Sequence, residues 1–127
     1  RPNLHIKDYC EAVETLLTAK NDKIENQIFN VGYQNMSIIE IANIVKKVVE
    51  EEFNMDKIKI LRTTSNDNRS YHINSDKIKT KLNFEPKHTI EEAVIELCEA
   101  FKKNQLPNSF DDENYFNVKK MLKLNIT

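Results

Sequence analysis

Arginine is the residue in this chain most suited to chemistry, because its planar, permanently charged fork can donate paired hydrogen bonds to a phosphate. Arg69 ends a polar, turn-forming loop, Asn66-Asp67-Asn68, and leads into the apolar Tyr71–Ile73 stretch. Loops next to tight structure are where binding residues concentrate. A phosphate contact is one reading of Arg69; an ordinary surface pair with Asp67 or Asp76 is the other. The remaining candidates are weaker. His5, His72 and His88 show no ligand or triad spacing, and His5 and His72 fall in strand patterns, so they read as core or edge histidines. Cys10 and Cys98 each lie in a helical pattern with no second cysteine at metal-ligand spacing. They read as reduced cytosolic thiols rather than a disulfide. One Tyr-x-x-x-Lys pattern, Tyr115 to Lys119, falls in the tail and lacks converging partners.

Composition narrows the classes. The 127 residues are one domain's worth of chain, 39% hydrophobic and 31% charged, as in a soluble, folded protein. Nineteen basic residues against twenty acidic ones recruit neither nucleic acid nor anionic lipid, and no apolar run is long enough to span a membrane. The chain starts at Arg1 rather than Met and moves straight into a strand pattern, which reads as an internal start. Only one glycine, Gly32, is present. A dinucleotide or phosphate loop needs several, so that the backbone can approach a pyrophosphate, and these residues alone cannot build one.

The elements that must position these groups follow from periodicity. Leu4-His5-Ile6 reads as a short strand and Asp8 as the cap of a helix over 9–20. Tyr9, Ala12, Val13, Leu16 and Leu17 form its buried stripe. Gln27–Val31 reads as a strand with Gly32 just past it, and Lys57–Leu61 alternates as a half-buried strand. Ser37 with Glu40, and Thr89 with Glu92, are capping boxes. The first opens a helix burying Ile38, Ile41, Ala42, Val45, Val48 and Val49. The second buries Ile90, Ala93, Val94, Leu97, Cys98 and Phe101. Ser75 caps a brief helix that stops at Asn83, with Pro86 beyond it. Asp111–Leu124 contains a short final helix. The expected fold is α/β, helix-rich with a few short strands, too few to close a sheet of their own.

The order of these motifs resembles the extended short-chain dehydrogenase/reductase family, the NAD-dependent nucleotide-sugar epimerases and dehydratases. Arg1-Pro2-Asn3-Leu4-His5-Ile6-Lys7-Asp8 is similar to that family's R-D-Y-I-H-V-x-D segment. Ile28–Gly32 resembles its Y-N-(I/L)-G strand, and Met36–Glu40 the helix start after it. Arg69 to Pro86 resembles R-x-Y-x-x-D-x-x-K-(I/A)-x-x-x-L-G-(F/W)-x-P, and Thr89–Ala93 the T-(L/I)-E-E-(G/A) helix. The likeness covers about residues 1–103. Pro2 stands where an acidic residue is usual, Asn83 replaces a glycine, and the segment 62–68 lacks the usual Pro and Gly.

The resemblance implies the C-terminal, substrate-binding portion of a Rossmann-type enzyme lacking its cofactor-binding half. Arg1 and Arg69 would grip the diphosphate and ribose of a nucleoside diphosphate sugar, with Asn30 near the same site. It implies no catalytic, cofactor-binding or metal-binding residue in this chain. NAD or NADP, the cofactor loop and the catalytic Tyr-x-x-x-Lys would belong to an N-terminal Rossmann half. The expected partners are that half and the sugar nucleotide, with self-association through an exposed strand edge near Phe29. The alternative is a stand-alone, non-catalytic helical interaction module. A glycine-rich loop and a Tyr-x-x-x-Lys pair encoded upstream would favour the enzyme.

Overall fold

The computed structural model describes residues 1–64 and 70–125. Six α-helices and one two-stranded sheet are present among them, so the fold is a small, helix-rich α/β one. Strand β1 (Pro2–Asn3) pairs antiparallel with β2 (Gln34–Asn35), in the register Pro2 to Asn35 and Asn3 to Gln34. The helices are α1 (Ile6–Thr18), α2 (Asn21–Ile24), α3 (Ile38–Phe53), α4 (Asp76–Leu82), α5 (Ile90–Lys102) and α6 (Asn117–Lys123). A 3-10 turn at Glu113–Tyr115 precedes the last.

Both capping boxes form. Ser37 Oγ accepts from Glu40 N while Glu40 accepts from Ser37 N, and Thr89 and Glu92 do the same for α5. Each arrangement satisfies two backbone donors that a bare helix start leaves unpaired. Asn83 closes α4 in the left-handed conformation at φ 56°. The non-glycine residues with positive φ among the described residues are Asn26, Asn54, Asn83, Asn104, Asn108 and Asn125. A chain with one glycine has given its left-handed positions to asparagine, the side chain that tolerates them best.

Other expectations fail at specific points. Leu4–Ile6 is not a strand: the ladder lies at Pro2–Asn3, and α1 begins at Ile6 with His5 as its cap, its Nδ1 accepting from Lys7 N at 3.1 Å. Asp8 is therefore inside the helix, wholly buried, and no cap. Ser75 precedes α4, but its hydroxyl does not cap that helix. Instead it accepts from Gly32 N at 2.9 Å and donates to Gly32 O at 3.0 Å. Asn74 Oδ1 takes the backbone donor at Asp76, at 2.8 Å. Neither Gln27–Val31 nor Lys57–Leu61 enters a ladder. The alternation read in Lys57–Leu61 is nonetheless present, with Ile58 and Ile60 inward between exposed neighbours. Gln27–Val31 shows the same pattern, Gln27, Phe29 and Val31 being half-buried while Ile28 and Asn30 are exposed. The pleat is there without a neighbouring strand to bond it.

Two small cores hold the chain. Ala12, Ile78 and Phe84 form one, with Phe29, Val31 and Leu82 packed on it. Val48, Val94 and Cys98 form the other, where α3 lies against α5. The stripes read from periodicity are only partly covered. On α1, Ala12 is buried, yet Tyr9 is 56% and Leu17 81% exposed. On the other pair Ile38, Leu97 and Phe101 face solvent. Helical spacing marked the apolar faces, but among the described residues their outer halves are left uncovered.

Candidate functional site

The β1–β2 ribbon brings three separated segments side by side. Met36 N donates to Arg1 O at 3.0 Å, and Tyr33 N to Asn3 O at 2.8 Å. Asn35 then serves as a one-residue strand neighbour. Its Oδ1 accepts from Ile73 N at 3.1 Å and its Nδ2 donates to Ile73 O at 3.0 Å. The segment that follows Arg69 in sequence is thereby fixed against the ribbon. Arg1 holds its guanidinium carbon 5.3 Å from the centre of the Tyr71 ring, within cation–π range. Arg69 lies outside the described residues. Asn30 is exposed and makes no hydrogen bond among the described residues.

Next to this edge is a cavity of about 300 Å³ between Gly32, Ile73, Ser75 and Phe84. Gly32 lies close to Ile73, whose Cδ1 would have to shift to admit a Cβ there. Asp76, Glu85 and Lys79 also line it, and Lys79 is paired to Glu85 at 2.7 Å. Two carboxylates against one committed ammonium disfavour an anion, and neither Arg1 nor Asn30 lines the space. Arg1 is on the ribbon, outside the cavity lining. Gly32 itself cannot cradle a dinucleotide pyrophosphate, because Ser75 takes its N–H.

A second cluster escaped the sequence. Asp8 Oδ1 accepts from His88 Nδ1 at 2.7 Å, and Asp8 Oδ2 from the backbone N–H groups of His88 at 2.9 Å and Lys87 at 3.1 Å. Burial pushes the Asp8 carboxyl up, but the His88 side chain and these two N–H groups outweigh it and hold the pKa below the ordinary carboxylate range. The His88 ring stacks on His5 with centroids 5.0 Å apart. His5 is itself buried, its Nε2 3.6 Å from Glu96. Both rings line an apolar cavity of about 250 Å³ between α3 and α5. An Asp–His pair can activate a hydroxyl, but the one hydroxyl lining this space, Thr89, is committed to Glu92. The cluster joins the start of α1 to the start of α5. No signal within either segment pointed to it, because Asp8 and His88 are 80 residues apart.

The remaining candidates resolve simply. Cys10 is exposed, Cys98 is buried, and both are free. Tyr115 lies in the 3-10 turn and Lys119 in α6, with its Nζ 4.3 Å from the Phe116 ring centre. They do not share a helix. No group of three or more acidic, histidine or cysteine residues is placed to hold a metal among the described residues. No helix among them is long and apolar enough to cross a membrane. Comparison with protein-family models, curated proteins and solved structures gave no match.

Proposed function

We propose that this chain is the substrate-binding portion of an NAD(P)-dependent nucleotide-sugar epimerase or dehydratase, of Rossmann type, whose hydride chemistry resides in an N-terminal half. The observation that carries this reading is the bonded ribbon of segments 1–3, 33–36 and 71–73. It puts Arg1 beside Tyr71, two residues along the chain from Arg69. Two guanidinium groups drawn from separate segments are the arrangement that a doubly charged pyrophosphate rewards. The pleated but unpaired Gln27–Val31 segment supports the reading from another side. One of its faces is seated on the Ala12–Phe84 core, and no strand pairs with it among the described residues. Asn30, on the outward face, belongs to the same proposal as a substrate contact.

Binding energy collected at the nucleotide end positions the sugar for a reaction carried out elsewhere. The test is titration of the complete protein with nucleoside diphosphate sugars. Arg1→Ala and Arg69→Ala should each weaken affinity at least about tenfold, the effect of removing a hydrogen bond to a charged group. Unchanged affinity in both variants ends the clamp. The 127 residues alone should bind weakly, since part of a cleft must order its own loops to engage a ligand.

A further inference from the structure

The outer face of α1 is apolar and uncovered. Ile6, Tyr9, Val13 and Leu17 follow one another at intervals of three or four residues, and Ile6 is 67% and Leu17 81% exposed. A second uncovered face lies on α6, where Val118 is 71% and Leu122 67% exposed with Met121 between them. The α6 helix packs against the 3-10 turn and leaves that face to solvent.

The charges beside these faces decide what fits. At about 3.6 residues per turn, Glu14 falls on one flank of the α1 stripe and Lys119 on the corresponding flank of the α6 stripe. Two helices packed face to face and antiparallel bring corresponding flanks to the same side. An antiparallel α1–α1 pair would thus set Glu14 against its own copy. An antiparallel α1–α6 pair would set it against Lys119. Lys7, on the same flank of α1, is already held by Glu96; Glu11 and Lys123 lie further round their helices and are held by Lys87 and Glu113. Glu14 makes no ion pair among the described residues and is the carboxylate open to Lys119.

We propose that α1 of one copy docks α6 of a second copy, antiparallel, and that the exchange is reciprocal, giving a closed two-fold dimer. Two such helix pairs bury on the order of 1,000 Å², the low end for a specific interface, so the dimer should be a weak one. This inference does not depend on the nucleotide-sugar reading.

Sedimentation of the full 127-residue chain across the micromolar range tests it. The expected result is a reversible dimer that Leu17→Glu and, independently, Leu122→Glu each convert to a monomer while circular dichroism stays unchanged. Glu14→Lys should weaken the dimer at least about threefold, and adding Lys119→Glu should restore it, the size of an exposed charge pair. A monomer throughout the range overturns the proposal. So does a dimer that survives removal of residues 104–127, or one that oxidises readily through Cys10 of both copies, which marks α1–α1 pairing.

Discussion

The Asp8–His88 junction and the Arg1–Tyr71 edge tie distant parts of the chain together in opposite ways. At the junction a fully buried carboxylate spends both oxygens on three donors, and no buried side-chain N or O atom is left unpaired among the described residues. At the edge an exposed ring lies under an arginine, and a side-chain amide stands in for a strand. The first arrangement is closed and committed to stability. The second lies at the surface, where a ligand can reach the exposed Tyr71 ring. Burial, rather than the catalytic reputation of the residue types, separates them: the Asp–His pair is the fastening and the Arg–Tyr pair is the candidate contact.

Substitutions at the two places should differ accordingly. Asp8→Ala should be the most damaging, costing about 3 kcal/mol in urea unfolding, because it strands two part-buried N–H groups and an imidazole. Acid sharpens the contrast. The Asp8 pKa is lowered on folding, so its contribution is present above the ordinary carboxylate range and is lost as pH falls through the folded value. Thermal melts of the parent should show a falling acid limb that Asp8→Asn flattens. Ser75→Ala should cost about 1–2 kcal/mol by releasing both groups of Gly32. Thr89→Ala, which removes one half of a capping box, should cost about 1 kcal/mol. Tyr71→Leu should be the mildest in unfolding, about 0.5 kcal/mol for an exposed cation–π contact. A cost at Tyr71 as large as that at Asp8 would erase the distinction between the two regions.

What the sequence disclosed was local. Ser37 with Glu40, Thr89 with Glu92, and the end of α4 at Asn83 depend on neighbours within a turn, and the structure realises them as read. Alternation in Lys57–Leu61 predicted which side chains turn inward but not whether a strand would lie alongside, because the partner is not encoded in the segment. Asp8 was misread for the same reason. At a helix start it has the form of a cap, and only His88 and the backbone around it, 80 residues on, give it another task. Of the candidate site, Arg1 is on the ribbon, Asn30 is exposed away from the cavity lining, and Arg69 is outside the described residues. The resemblance that joined these three remains a proposal.

The asparagines in left-handed turns bear on the chain before it folds. A backbone with a single glycine explores fewer conformations when denatured, so less freedom is surrendered on ordering. Each left-handed asparagine sets a modest steric penalty in the native state against that saving. Replacing Asn54 or Asn83 with glycine exchanges one effect for the other, and the two should nearly cancel.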